Sequence, residues 1–294
     1  MRRLNLLLVS GIVALAISGC GGGTASPSAG VSAATGSPVA SPSAVVSAAP
    51  SASPRPNGVF SSTGSMVAER DQWAMSTLLA DGRVLVTGGV DYSVLDSPYL
   101  SSAEIYDPAT GVWSKTGSMT KGRGGHTATL LKNGKVLIAG SCDNDKTAEL
   151  FDPGTNKFSS LGKMAVSATC GSTATLLPNG SVLLEGGAST GIVASKLAEI
   201  YDPATGRFSR TGSMATARSG AQAVLLGDGR VLVVGGDQES DNEVDLNSAE
   251  IYNPATGKFT EAGSMETPRT QFSATLLGNG SVLVAGGSNM GGVP

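Results

Sequence analysis

The sequence predicts an all-β protein in which one structural unit recurs about five times. The phrase "GSM", or its variant "GKM", returns at intervals of 45 to 53 residues, ending at Met66, Met119, Met164, Met214 and Met265. Each copy is followed by an apolar segment such as "HTATLLKNGKVLIAG" and then, after a variable stretch, by a phrase such as "SAEIYDPATGVW". Self-similarity at a fixed period of this length is typical of architectures built from repeated sheets.

Each unit is predicted to contain four short strands. The first, "TATLL" in the second unit, leads into a two-residue Asn-Gly or Asp-Gly turn of the kind that favours a tight hairpin. The second strand, "KVLIA", is apolar throughout, so both of its faces should be covered. The third strand is "AEIY", and the fourth opens with one aromatic residue in each complete unit: Trp113, Phe158, Phe208 and Phe259.

A four-stranded meander cannot bury both faces alone, so the sheets should stack radially about an axis, each covering its neighbour. The glycine pair after the second strand, the spaced Tyr and Trp/Phe residues and the period near 50 resemble the Kelch repeat. That resemblance covers residues 58–294 and implies a Kelch-type β-propeller of about five blades with the first strand innermost.

The last blade is expected to be incomplete, because the chain stops after the second strand of the fifth unit. The segment "GVFSSTGSM" at 58–66 matches "GVWSKTGSM" at 111–119 and supplies an isolated fourth strand. Since Kelch propellers commonly close by joining terminal strands, Val59 to Ser61 are predicted to pair into the blade begun by Ser273 to Gly287. The family more often has six or seven blades, which leaves a truncated longer propeller as the alternative.

The first 57 residues predict export and anchoring. Arg2 and Arg3 precede an apolar stretch too short to span a membrane, and residues 1–19 resemble a bacterial lipoprotein signal that ends before Cys20. Lipidation of Cys20 would anchor the protein to a membrane outside the cytoplasm; a plain signal peptide or a short membrane anchor is the alternative. Residues 20–57 are rich in Ser, Pro and Ala and form a predicted disordered linker.

Composition narrows the partners and the redox chemistry. The whole chain has 20 basic and 23 acidic residues and no basic block, so nucleic acid is not an expected partner. Cys142 and Cys170 are predicted at the same end of adjacent blades, and in an exported protein they are expected to form a disulfide. Two separate, buried thiols are the alternative.

No catalytic constellation, cofactor or metal is expected. His126 is the single histidine, and it is predicted to pack near the axis. Copper-radical enzymes on related propellers need two histidines, which this chain lacks, and the first strands carry no paired carboxylates for glycoside hydrolysis. The glutamate that recurs in every complete unit is predicted to belong to the scaffold, and Glu185 is expected at a strand end near solvent. The recurring residues are Glu104, Glu149, Glu199 and Glu250.

Ligand binding is predicted where the units differ, on the face formed by the loops from strand two to three and from strand four to the next blade. In peptide-binding Kelch domains, arginines four residues after the repeat methionine line this mouth, which here gives Arg70, Arg123, Arg218 and Arg269; pairing with neighbouring acids is the alternative. The loop "DQESDNEVDLN" adds an acidic series, interpreted as a solvated rim, a calcium site or a contact for a basic partner: Asp237, Glu239, Asp241, Glu243 and Asp245. The predicted function is non-catalytic binding of a protein or glycan; a carbohydrate-active enzyme with an unrecognised site is the alternative.

Overall fold

The computed structural model describes residues 61–93, 99–165, 170–189, 193–238 and 244–289. Cys20, the linker and residues 58–60 lie outside them. All strands of the described residues belong to one compact unit. Nothing in these ranges forms a helix long and apolar enough to cross a membrane.

Four sheets with up-and-down order are followed by a two-stranded fifth. The first contains β1 (Met75–Leu78), β2 (Val84–Thr87), β3 (Ala103–Asp107) and β4 (Val112–Lys115). The second contains β5 (Thr127–Leu130), β6 (Val136–Ala139), β7 (Thr147–Asp152) and β8 (Lys157–Lys163). The third contains β9 (Cys170–Leu176), β10 (Val182–Ser189), β11 (Val193–Ala194), β12 (Ala198–Asp202) and β13 (Arg207–Arg210). The fourth contains β14 (Gln222–Leu225), β15 (Val231–Val234), β16 (Ser248–Asn253) and β17 (Lys258–Ser264), and the fifth β18 (Thr270–Leu276) and β19 (Val282–Ser288).

The strand pairing follows the sequence pattern. All pairs are antiparallel. The hairpin loop at Asn133 and Gly134 is longer than the predicted two-residue turn: the amide of Leu131 donates to the carbonyl of Lys135 at 2.8 Å, and Gly134 has a positive φ of 80° whereas Asn133 does not. Each complete blade places its tyrosine or phenylalanine of strand three opposite the aromatic residue of strand four. The ring centroids of these pairs lie 4.8 to 5.1 Å apart, within the range of favourable aromatic contacts.

The hydrophobic core lies between the blades. All four residues of β6, "VLIA", are fully buried, as expected for a strand covered on both faces. The repeat methionine is part of this packing: Met119, from the connection into the second blade, joins Leu85 and Ile105 of the first blade and Ile138 of the second in one cluster. Each blade therefore covers the apolar face of the preceding one, which is why the units are stable only as a stack.

The first strands are adjacent along the series β1, β5, β9, β14 and β18, which places them on the inner side of the stack. At its two ends the apolar surface is less covered: Leu78 of β1 is 64% exposed and Leu283 of β19 is 53% exposed. The predicted closing strand is not formed by the described residues, because Val59 and Phe60 lie outside them and residue 61 has no strand structure. Within these ranges the fifth blade consists of β18 and β19 alone.

Candidate ligand-binding face

The loops from strand two to three and the connections between blades meet at one end of the stack. The amide of Arg123, in the connection into the second blade, donates to the carbonyl of Leu100 in the first blade's loop at 3.0 Å. Arg218 and Ser195 repeat this contact at 3.0 Å between the third and fourth blades, and Arg269 and Leu246 repeat it at 3.1 Å between the fourth and fifth. This end is called the loop face below.

The repeat arginines lie beneath the loop face and bind the scaffold. The Arg123 guanidinium is fully buried; it donates to the carbonyls of Gly140 and Thr147 at 2.9 and 3.0 Å and to Glu149 Oε1 at 3.0 Å. Glu149 Oε2 accepts from the amide of Thr120 at 2.9 Å. The arginine and glutamate together therefore fix the connection that enters the blade.

The same arrangement recurs in the first and fourth blades. Arg70 pairs with Glu104 at 3.1 Å and Arg218 with Glu250 at 3.3 Å, and all four side chains are almost completely buried. Burial lowers the pKa of both guanidinium groups, although the glutamates oppose that shift. Burial alone would raise the pKa of Glu104, but the amides of Val67 and Ala68, together with Arg70, hold it below its usual value.

These positions correct one prediction and account for another. Arg70, Arg123 and Arg218 do not line the mouth, because each guanidinium is buried and already bonded to carbonyls and a carboxylate. The recurring glutamates act as scaffold residues, and Glu199 likewise accepts from the amide of Ala165 at 2.9 Å. Arg269 differs, because it lies in the two-stranded fifth blade; its guanidinium donates to the carbonyl of Gly286 at 2.8 Å at an exposed position.

Cys142 and Cys170 are joined by a disulfide at the loop face, with their Cα atoms 4.4 Å apart. The bond links the loop after β6 to the first residue of β9, so it connects the second and third blades. Gly125 leaves the room for it, since a Cβ there would lie 3.4 Å from Cys170 Sγ and closer still to Cys142 Sγ.

The two unusual titratable groups are buried within the propeller. His126 Nε2 lies 2.8 Å from the hydroxyl of Thr87, and burial, with Arg123 and Arg70 nearby, lowers the pKa of His126 to about 3. Glu185 was expected near solvent, and this is wrong: it is 3% exposed. Burial raises the pKa of Glu185 to about 8, although the hydroxyl of Thr173 donates to its Oε1 at 2.6 Å. Both groups are neutral at pH 7 and neither reaches the surface.

The predicted acidic series is only partly described. The backbones of Asp237 and Asp245 pair as an isolated antiparallel β-bridge between the two ends of their loop. The hydroxyl of Thr270 donates to Asp237 Oδ2 at 3.1 Å. Glu239, Asp241 and Glu243 lie outside the described residues. Among the residues that are described, no group of three or more His, Cys, Asp or Glu side chains is arranged to hold a metal ion.

An aromatic patch, formed by Trp73, Tyr92 and Tyr99, occupies the loop face of the first blade. Trp73 and Tyr99 are stacked, with ring centroids 6.4 Å apart and an interplanar angle of 25°. Trp73 is 37% exposed and Tyr92 is 56% exposed. Gly124, from the connection into the second blade, lets the Tyr99 ring lie against the backbone, because a Cβ there would come within 2.7 Å of two ring atoms.

The backbone at Trp73 is unusual for its residue type. Trp73 has a φ of 59°, and the equivalent positions, six residues before the second leucine of each first strand, also have positive φ. Three blades place glycine there, whereas the first and fifth place Trp73 and Gln271. The five residues are Trp73, Gly125, Gly171, Gly220 and Gln271. A bulky side chain in this region costs on the order of 1–3 kcal/mol and is found mainly at functional sites.

The sequence prediction missed this patch, although a signal for it was available. Aligning the repeats on the Leu-Leu pair of the first strand places Trp73 in the column that holds glycine in the second, third and fourth units. An aromatic residue in a glycine column is the kind of departure from the repeat that indicates function. Tyr99 and Tyr92 have no equivalent signal, because the loops that carry them differ in length and sequence in every unit.

Comparison with known proteins agrees with this architecture. The Kelch motif matches residues 75–120 and 218–266. Human Kelch-like protein 15 is 33% identical over 84 residues, which cover 26% of this chain and 14% of that protein. Bovine Kelch-like protein 36 is 29% identical over 126 residues, covering 39% of this chain and 19% of that protein. The match therefore spans under a fifth of either curated relative.

A solved structure extends the likeness over most of the chain. The structure of YjhT superposes with a TM-score of 0.62 at 18% identity and covers 76% of this chain and 78% of that one. At this identity the likeness concerns the fold. With the sheet topology and the two motif matches, it shows a Kelch-type β-propeller fold of about five blades, in which the described residues form four complete blades and two strands of a fifth.

Proposed function

We propose that this protein is a non-catalytic binding module, anchored outside the cytoplasm through Cys20, that uses the loop face of its propeller to hold a protein or glycan partner. The observation that carries the proposal is the aromatic patch, where Trp73 and Tyr92 present apolar ring surface to solvent on an otherwise repetitive scaffold. Exposed aromatic side chains of this kind are enriched in binding surfaces.

The buried ionisable groups favour binding over catalysis. A general acid or base must reach the proton that it transfers. His126 and Glu185 are 2% and 3% exposed. The arginines of the first, second and fourth blades are committed to buried glutamates. These groups stabilise the scaffold, and the loops that it holds are free to vary.

The test is to probe glycan and protein arrays with the purified full chain and with two matched variants. Tyr92→Ala removes an exposed ring from the loop face, whereas Val112→Ala trims a side chain that is 57% exposed at the opposite end of the first blade. Binding that is weakened by Tyr92→Ala and unchanged by Val112→Ala would support the proposal. Binding lost equally in both variants, or turnover of an array ligand by the protein, would contradict it.

Anchoring through Cys20 has its own test. The intact protein should incorporate labelled palmitate and partition into detergent, and Cys20→Ala should abolish both. If Cys20→Ala still fractionated with membranes, the lipid anchor would be wrong while the binding role remained open to the array experiment.

A further inference from the structure

The aromatic patch has the geometry of a carbohydrate platform. Flat apolar rings that stay partly exposed can stack on the faces of sugar rings, and their low conformational freedom reduces the entropy lost on binding. Trp73 and Tyr99 are stacked with their planes 25° apart, so the Tyr99 ring holds the Trp73 ring in place while Trp73 stays 37% exposed. Tyr99 is held in place by a bridge between its backbone and that of Val90, which is 1% exposed.

The positive φ at Trp73 shows that the platform is maintained against a conformational cost. Glycine fills the equivalent position in three of the five blades, so the propeller does not need a side chain there. Because φ is positive at this position in all five blades, the fold sets the backbone conformation, and the conformational cost comes from having tryptophan there instead of glycine. An observed backbone outlier of this kind points to function.

The charges around the platform indicate a neutral ligand with many hydroxyl groups. Asp71 lies beside Tyr92 and accepts from its amide at 2.8 Å. The exposed Asp143 lies near Tyr99, and the pKa of Tyr99 is raised first by burial and then by this carboxylate. Of the nearby cations, Arg70 and Arg123 are buried, whereas Lys121 is exposed and lies 3.6 Å from Asp145, so the exposed charges beside the rings do not form a basic surface for an anionic ligand. Carboxylates accept hydrogen bonds from sugar hydroxyls and repel anionic groups.

We infer that Trp73, Tyr99 and Tyr92, flanked by Asp71 and Asp143, form a binding site for neutral oligosaccharides on the loop face of the first blade. The inference rests on the proposed binding function and specifies its ligand as an uncharged glycan. Trp73 stacks on one sugar ring, Tyr99 supports the Trp73 ring, and the two aspartates accept hydrogen bonds from sugar hydroxyls.

The chain offers a direct reporter for this site. It contains two tryptophans, Trp73 and Trp113. Trp113 packs against Tyr106 in a position that three other blades fill with phenylalanine, so Trp113→Phe should fold normally and leave Trp73 as the single tryptophan fluorophore. The probes are neutral hexasaccharides of glucose, mannose, galactose and N-acetylglucosamine, with sulfated and sialylated glycans as charged comparisons.

At least one neutral hexasaccharide should shift the emission of the Trp113→Phe protein in a saturable way, and calorimetry on the full chain should give the same affinity. Trp73→Gly should weaken that binding at least tenfold without lowering the melting temperature. The substitution removes the ring, and glycine adopts the positive φ without the energetic cost that tryptophan carries. Gln271→Gly is the matched control, since it removes the same cost of a positive φ in the fifth blade and should leave the affinity unchanged.

Three outcomes would overturn the inference. They are equal affinity of Trp73→Gly and the unmodified chain, tighter binding of the charged glycans than of any neutral one, and no saturable response to any neutral hexasaccharide. If the arrays identify a protein ligand sensitive to Tyr92→Ala while every sugar fails, the glycan inference fails and the proposed binding function stands. If the arrays also show no ligand, both fail.

Discussion

The guanidinium of Arg123 lies 3.0 Å from Glu149 Oε1, and both side chains are fully buried beneath the connection between the first and second blades. The pair is part of a network that includes the carbonyls of Gly140 and Thr147 and the amide of Thr120. Because every member bonds to the backbone, the pair fixes chain geometry as well as balancing charge. This gives the repeat arginines a structural role.

Replacing Arg123 by alanine should lower the free energy of unfolding by about 3–5 kcal/mol, because the buried carboxylate of Glu149 would lose its counter-charge. Urea denaturation of the full chain measures the change. Arg83→Ala is the control: Arg83 pairs with Asp81 at 2.7 Å, but Arg83 is partly exposed and Asp81 is exposed, and a solvent-accessible pair contributes about 0–1 kcal/mol. If the Arg123→Ala protein were as stable as the unmodified protein and lost only its affinity for an acidic ligand, Arg123 would be a ligand-binding residue as first predicted.

The sequence predicted the scaffold better than the site, and the arginines show why. The repeat period, the turn residues and the apolar second strands are local signals that recur five times. The strand assignment in one unit is therefore supported by the same pattern in the other units. An arginine after the repeat methionine has the same sequence signature whether it lines a mouth or bonds a buried glutamate. The difference depends on how the connection folds over the blade, which is a tertiary property.

Glu185 illustrates the same limit. It follows the apolar run "VLL", where the sequence pattern predicted the strand to end near solvent, but β10 continues to Ser189. The backbone of the next connection covers this part of β10: a Cβ on Gly186 would lie 2.7 Å from the carbonyl of Arg218. That close approach depends on packing between two blades, so it cannot be predicted from the sequence pattern within one repeat.

Removing the disulfide should destabilise the propeller without unfolding it. The bond closes a segment with a sequence separation of 28 residues, for which the chain-entropy relation gives about 3.5 kcal/mol. The double variant Cys142→Ala, Cys170→Ala should therefore unfold at lower urea concentration, and the unmodified protein treated with reductant should match it. Two free thiols detected by mass spectrometry of the unreduced protein would contradict the bond.

Gln271→Gly should raise the free energy of unfolding by about 1 kcal/mol. Gln271 has a φ of 55°, which side chains other than glycine rarely adopt, and three blades already use glycine at this position. Part of the gain is offset by the greater freedom of glycine in the unfolded chain. Gly220→Ala, the reverse change at the equivalent position of the fourth blade, should destabilise. Urea denaturation curves for both variants measure the change in the free energy of unfolding. A loss of stability in Gln271→Gly would show that contacts of the Gln271 side chain stabilise the fold by more than the positive φ costs.

Glu185 should make the protein less stable as the pH rises. Its pKa is raised from the ordinary 4.5 to about 8 in the folded state, so between these values the folded chain holds a proton that the unfolded chain has lost. The free energy of unfolding should therefore fall by about 1.4 kcal/mol per pH unit across this window. Glu185→Gln should remove this slope, and its difference from the unmodified protein should grow from pH 5 to pH 8. A constant difference would mean that Glu185 ionises normally.

His126 should produce the opposite dependence at lower pH. Its pKa is lowered from 6.5 to about 3, so below pH 6.5 the unfolded chain binds a proton that the folded chain does not. The contribution of His126 to stability is thus present above pH 6.5 and is lost as the pH falls toward 3, by about 1.4 kcal/mol per unit. Between pH 4.5 and 6.5 this loss opposes the gain from Glu185, so the unmodified protein should show a nearly flat stability there.

The structure supplies a variant that isolates the histidine. Thr87 and His126 occupy the positions that Val234 and Phe272 fill between the fourth and fifth blades, where the two residues pack in one apolar cluster. The double variant Thr87→Val, His126→Phe copies that pair, leaves no hydroxyl without its partner and removes the titrating ring. Urea denaturation should show its stability rising steadily as the pH falls from 6.5 to 4.5, because only the Glu185 dependence remains. If the free energy of unfolding of the double variant were as independent of pH as that of the unmodified protein across this range, His126 would not be the group that offsets Glu185.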